Sequence, residues 1–376
     1  MKGNTKLYLI TLALAAILLV SLLGIYASAD GAATPPNISA KAAVLYVPET
    51  GEFLYEKNAD ERLPMASTTK IMTALITLSE CELSDTVIVD ERAVGIEGSS
   101  AYLRAGDELS VEELLYALML QSANDAAVAL AYHISGNIEQ FSALMNEKAQ
   151  SLGLQNTSFA NPHGLDANDH YTTASDLSKI AAAALEDPIF RNITSTYKRT
   201  FATEHRRRTY VNHNKLLLRI DGAIGVKTGY TKRCGRCLVG ATERNGLTLI
   251  SVTLDAPSDW SDHEMMIDYG YSLVEKILLA KTGDISYELS VVNGESDTLK
   301  VVNENELSII TENAKHEIDL EVRLPRFVCA PINQGDVLGV AILKLDGQCI
   351  ATTKLIAQHN VKIKKQTGIF SRLFDK

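Results

Sequence analysis

Positive charge is scarce in this chain. Lysine and arginine number 36 against 46 aspartate and glutamate, a net charge of −10, which excludes the basic face that nucleic-acid binding requires. No Walker-type glycine-rich loop occurs, so phosphate binding by that route is excluded too. The five cysteines, Cys81, Cys234, Cys237, Cys329 and Cys349, are odd in number and do not form a disulfide scaffold. Cys234-Gly235-Arg236-Cys237 has redox spacing, but it lacks a second pair for zinc and a thioredoxin-like strand–helix setting, so a plain strand-edge pair is expected. His263-Glu264 has no second histidine four residues after the first, which removes the zinc-protease motif. Repeats and low-complexity tracts are absent as well. No metal or cofactor is called for.

What is present is an ordinary globular composition, 46% hydrophobic and 22% charged, in a chain long enough for two domains. Lys2 and Lys6 precede an apolar run from Leu7 to Tyr26, followed by Ala27-Ser28-Ala29. Positive flank, apolar middle and A-x-A site predict a signal peptide over residues 1–29. At roughly 20 residues the run is also long enough for an uncleaved anchor. Either way the body is expected outside the cytoplasm, at the membrane face or cell wall.

After a short linker at Thr34-Pro35-Pro36, AAVLYVPETGEFLYEKNAD alternates like a hairpin turning at Glu49-Thr50-Gly51. A mostly helical middle follows. Ser110 with Glu113 makes a capping box, and ASDLSKIAAAALED reads as a further helix. From Ala223 the period becomes that of strands, and Asn245-Gly246 marks a hairpin within RCLVGATERNGLTLISVTL. DHEMMIDYGYSLVEKILLA reads as one last helix returning against the sheet. This order predicts an antiparallel sheet with helices packed on it. Beyond Lys281 only short strands and turns are evident, so a small all-β domain is expected, joined near residues 280–284.

The chemistry starts at PMASTTKIMTAL, where Ser67 and Lys70 stand three residues apart at the head of an apolar run. In a first helical turn they share a face, about 5–6 Å apart. A serine hydroxyl needs a base to become nucleophilic, and no histidine lies near in sequence. Lysine serves if neutral, and burial or nearby positive charge lowers its pKa toward roughly 7–8. The unpaired N–H of Ser67 at a helix start would help hold an oxyanion.

Alone, the spacing is weak, since Ser195-Thr196-Tyr197-Lys198 repeats it. A Ser-x-Asn and a Lys-Thr-Gly in order complete a known serine–lysine acyl-transfer set, and each occurs twice. Ser122-Ala123-Asn124 breaks two apolar helices, where short polar side chains can face a cleft. Ser135-Gly136-Asn137 instead ends a helix with ordinary stop residues. Lys227-Thr228-Gly229 lies on a strand-like segment before a hairpin. Lys281-Thr282-Gly283 reads as a C-cap in the interdomain joint.

In this order Ser67–Lys70, Ser122–Asn124 and Lys227–Gly229 resemble the active site of the serine-type D-alanyl-D-alanine carboxypeptidases, the low-molecular-mass penicillin-binding proteins. LYEKNADERLPMASTTKIMTAL, LLYALMLQSANDAAVALA, NPHGLDANDHYTTASDLSKIA and GVKTGYT carry the likeness further, over residues 42–355. The resemblance implies an α/β (α+β type) transpeptidase/β-lactamase-like catalytic domain over residues 38–282 and the small β domain over residues 285–356. It implies Ser67 as nucleophile, Lys70 as base, Ser122 as proton relay and Asn124 as the residue orienting Lys70 and substrate. Lys227, Thr228 and Gly229 would bind substrate, Lys227 through its carboxylate, and the N–H groups of Ser67 and Tyr230 would form the oxyanion hole. Substrates would be peptidoglycan stem peptides ending in D-Ala-D-Ala, and β-lactams would be inhibitors.

One departure is that SDWSDHEMMIDYG stands where the family usually carries an arginine, a wording nearer the branch in spore-forming Gram-positive bacteria. A serine β-lactamase is the rival reading, disfavoured by Ala123 in the middle motif, by the lack of a matching glutamate and by the appended β domain. A β-lactam sensor or wall-binding protein would be expected to carry a signalling domain or a further membrane helix. Residues 357–376 form a basic, amphipathic tail, with Lys362, Lys364 and Lys365 ahead of Ile369, Phe370, Leu373 and Phe374. Such a tail is expected to touch the membrane surface, and the family often attaches by that end.

Overall fold

The computed structural model describes residues 34–203, 206–312 and 317–365. The signal-peptide reading and residues 366–376 of the tail lie outside them.

Strands β1 (Ala42–Val47) and β2 (Glu52–Lys57) form the expected hairpin, with Gly51 in the left-handed region at φ +76°. The chain then runs through α1 (Lys70–Glu80), β3 (Thr86–Ile88), β4 (Glu108–Ser110) and α2 (Val111–Leu120). Next come α3 (Asn124–Ser135), α4 (Ile138–Ser151), α5 (Ala174–Leu185) and α6 (Pro188–Ser195). A two-stranded ribbon, β5 (Lys198–Ala202) and β6 (Arg207–Val211), leads to the short α7 (Leu216–Arg219). The domain closes with β7 (Ala223–Thr231), β8 (Gly235–Arg244), β9 (Leu247–Leu254) and α8 (Asp259–Leu273).

Five of these strands make one antiparallel sheet in the order β2-β1-β9-β8-β7. Because a strand alternates faces, Ala42 and Val44 join the core with α1–α6, while Ala43, Leu45 and Val47 pack with Met266 of α8. Both faces are covered, so β1 reads as continuously apolar rather than alternating. The Asn245-Gly246 hairpin forms with both residues at positive φ, +51° and +76°. Ser110 caps α2, its Oγ accepting from Glu113 N at 3.1 Å, a contact worth about 1 kcal/mol. Glu113 turns its carboxylate to Arg206 (2.7 Å) and Tyr210 Oη (3.1 Å), tying the β5–β6 ribbon to α2.

The last helix is shorter than its sequence predicts. It ends at Leu273, and Val274–Ala280 is strand β10, paired with β13 (Leu307–Glu312). Its partner lies some thirty residues downstream, so this non-local pairing overrides local helix propensity. Lys281-Thr282-Gly283 is consequently a turn after a strand, not a helix C-cap.

Beyond it, β11 (Ser286–Val292), β12 (Thr298–Asn303), β14 (Ile318–Arg323), β15 (Phe327–Cys329), β16 (Val337–Leu345) and β17 (Gln348–Ala357) make a six-stranded sheet. Part of the expected tail belongs to this β structure. Val361 is 3% exposed and exchanges backbone hydrogen bonds with Ile332, and Lys364 N donates to Asn293 O.

Candidate active site

Ser67 sits one step earlier than a regular helix. Ala66–Thr69 form a 3₁₀ turn and α1 starts at Lys70. Ala66 is held at φ +47°, a conformation uncommon for a residue with a Cβ. Its carbonyl accepts from Thr69 Oγ1 at 2.7 Å. Thr69 Oγ1 in turn lies 2.7 Å from His170 Nε2, while Ala160 N–H donates to His170 Nδ1 at 3.1 Å. That acceptor role at Nδ1 places the imidazole proton on Nε2, and burial, then the charge of Lys70, push the His170 pKa down to about 4.

Two glycines hold the turn from either side. A Cβ on Gly164 would lie 1.9 Å from Ala66 O, and one on Gly229 would lie 3.0 Å from Ser67 N. Gly164 ends a loop organised by Asn161, whose Oδ1 accepts from Gly164 N at 2.7 Å, and pinned to α1 by Thr73 Oγ1 donating to Pro162 O at 2.6 Å.

Lys70 is completely buried. Its Nζ lies 2.9 Å from Ser67 Oγ, 2.7 Å from Asn124 Oδ1 and 2.5 Å from His163 O. Burial above all, then the positive charge of Lys227, hold its pKa well below the usual lysine value, against a weaker opposing pull from Asp125. A neutral Lys70 donates two hydrogens to Asn124 and His163 and presents its lone pair to the serine hydroxyl.

Ser122 and Asn124 fall at the break between α2 and α3, as the sequence suggests. Ser122 has φ +61°, and Asn124 opens α3 with Nδ2 donating to Glu97 O. Asp125 was not singled out from sequence, yet its carboxylate accepts from Ser100 Oγ (2.6 Å), Ala101 N (2.9 Å) and Leu103 N (3.0 Å). It thereby fixes the loop that carries Ser99. His163, Gly164 and His170 were missed too, and NPHGLDANDHY was their only signal.

Lys227, Thr228, Gly229 and Tyr230 follow one another along β7, the edge strand of the sheet. A cleft of about 360 Å³ is lined by Ser67, Ser99, Ser122, Thr228, Gly229 and Tyr230, together with His213, Lys215, Arg236, Asp259 and Trp260. Lys227 is not on its wall. It is 1% exposed, its Nζ donates to Thr228 O at 2.9 Å, and burial lowers its pKa to about 7.

The repeated motifs lie elsewhere. Ser195 and Lys198 are exposed at the end of α6 and the start of β5. Gly136 is the left-handed C-cap of α3, and Asn137 caps α4 by accepting from Gln140 N. Among the described residues no cluster of side chains suited to a metal ion occurs.

Residues 29–258 match the D-alanyl-D-alanine carboxypeptidase family, and residues 275–363 match the penicillin-binding protein 5 C-terminal domain. D-alanyl-D-alanine carboxypeptidase DacF of Bacillus subtilis is 34% identical over 95% of this chain and 95% of its own. DacC of Escherichia coli is 32% identical over 93% and 90%. Penicillin-binding protein 5 from Haemophilus influenzae superposes with a TM-score of 0.65 at 31% identity, covering 88% of this chain and 99% of that one. A serine and a buried lysine in contact, an Asn bridging to that lysine, and a Lys-Thr-Gly edge strand against the serine are thus joined to matches over nearly the whole length. The chain belongs to the D-alanyl-D-alanine carboxypeptidase family of penicillin-binding proteins.

Proposed function

We propose that the protein removes the terminal D-alanine from peptidoglycan stem peptides ending in D-Ala-D-Ala, through an acyl-enzyme on Ser67. The observation that carries this reading is the 2.9 Å approach of Lys70 Nζ to Ser67 Oγ, with the amine's other partners both acceptors. Ser67 Oγ attacks the penultimate carbonyl and its proton passes to Lys70. The N–H groups of Ser67 and Tyr230 receive the oxyanion. Ser122, which lines the same cleft, relays a proton to the departing amine of D-alanine. Water then cleaves the ester and frees Ser67. Asn124 holds Lys70 in line, while Thr228 and Gly229 bind the substrate backbone. A β-lactam acylates the same serine by ring opening.

The test is release of D-alanine from a purified pentapeptide, with the adduct of a fluorescent penicillin mapped by mass spectrometry. Ser67→Ala should abolish both. An adduct on another serine overturns the assignment. The body acts outside the cytoplasm in this reading, exported by residues 1–29, and the basic end of the chain touches the membrane. Among the described residues no helix is long and apolar enough to cross a membrane.

A further inference from the structure

A substrate that ends in a free carboxylate brings a full negative charge into the cleft, and some cation must meet it. The Lys-Thr-Gly lysine is poorly placed for this. Lys227 lies behind the wall, bonded to Thr228 O, and burial leaves it only partly charged near neutral pH. His213 is on the wall, but burial and the charge of Lys227 both disfavour its charged form. Two further basic side chains line the wall, Lys215 and Arg236.

Arg236 is the one built in place. It stands on β8 directly across from Tyr230 of β7, two residues along from the Thr228 pair. Its Nε donates to Asp259 Oδ1 at 3.1 Å, and that oxygen also accepts from Trp260 N at 3.0 Å. Asp259 is 5% exposed, so the guanidinium is anchored to a buried group while its own side chain stays 46% exposed. Among the described residues its two Nη groups have no partner. A guanidinium fixed through Nε keeps a planar pair of N–H donors, the geometry that matches a carboxylate bidentately. Lys215 is an exposed point charge with no partner among the described residues.

Resting on the carboxypeptidase reading above, we propose that Arg236, held by Asp259, binds the terminal carboxylate of the substrate and so makes the enzyme selective for free C-termini. Lys227 acts instead on Lys70, from behind the wall.

The experiment measures kcat and KM on an acyl-D-Ala-D-Ala peptide and on its C-terminal amide, for wild type, Arg236→Ala, Arg236→Lys and Lys215→Ala. A lost hydrogen-bonded charge contact corresponds to roughly 10–100-fold. Arg236→Ala should lower kcat/KM on the free acid by about that factor, chiefly through KM, while the amide changes less than about threefold. Arg236→Lys should recover part of the loss. Equal losses on acid and amide would make Arg236 merely structural and overturn the proposal, as would a selective loss in Lys215→Ala instead. A wild type that releases no D-alanine from either peptide sinks the carboxypeptidase reading itself, and this proposal with it.

Discussion

Gly164 and Ala66 meet so closely that a Cβ on the glycine would lie 1.9 Å from the alanine's carbonyl oxygen. Ala66 is the residue before the nucleophile, and its φ of +47° aims the Ser67 N–H. Gly164→Ala meets backbone there, at a φ of +91° that also strains a side chain. We expect a stability loss of about 1–3 kcal/mol. Acylation by fluorescent penicillin should fall by about 100-fold, because a displacement near 1 Å at a reacting group has that effect. Thermal unfolding and labelling rate check the two separately, and unchanged labelling would refute the clamp.

Lys70→Ala should slow acylation by about 100- to 10,000-fold, the usual share of a general base. In the wild type the neutral amine is the working form. Since burial and Lys227 hold the Lys70 pKa well below the lysine value, the acylation rate should rise with pH and level off far short of 10.5. A rate that is flat from pH 5 to 10 would remove Lys70 as the base.

Deacylation should distinguish peptide from drug. When D-alanine departs, water can enter the space it leaves, whereas the opened β-lactam ring stays tethered there. Among the described residues the one carboxylate on the cleft wall is Asp259, whose Oδ1 is engaged by Arg236 and Trp260 N. No free carboxylate among the described residues thus lines the cleft to drive water onto a penicilloyl ester. Stopped-flow and mass spectrometry should find rapid turnover of the pentapeptide and a penicillin adduct lasting minutes or longer. Fast penicillin hydrolysis without D-alanine release would favour a β-lactamase.

Membrane association is expected to reside in the end of the chain. Because Lys364 N is bonded to Asn293 O, a clean truncation starts at residue 366 rather than within the β sheet. Removing residues 366–376 should shift the protein off anionic vesicles while D-alanine release from a soluble peptide is unchanged. If the intact mature protein fails to sediment with those vesicles, the tail has no anchoring role.

How much of this was legible in the sequence follows from how local each feature is. The hairpins at Gly51 and Asn245-Gly246 and the Ser110 cap are set by neighbouring residues and appear as read, except that the Glu113 carboxylate of the expected capping box turns to Arg206 and Tyr210. Ser67, Lys70, Asn124 and the Lys227–Gly229 strand could be singled out because local context set them apart from duplicates that occur in an equally permissible order, Ser135–Asn137 as a helix stop and Lys281–Gly283 in the interdomain joint. The strand Val274–Ala280 was hidden because its partner is Leu307–Glu312, and helical spacing within the segment said nothing of that. Asp125 and His170 escaped notice for a similar reason. Their partners are backbone groups of loops and a threonine a hundred residues away, which leave no periodic trace.

The position of β7 at the sheet's margin has a consequence for self-association. A bare edge strand invites another chain to add to it, a route to aggregation that natural sheets block. Here α6 lies along its first half, where Thr194 Oγ1 donates to Ile224 O, and the Ala66–Ser67 turn abuts its middle at Gly229. Exposed Lys232 and Arg233 follow where it ends. These contacts shorten the length of β7 that a second strand could pair with. The turn that carries the nucleophile therefore also stands in the way of another chain adding to this edge.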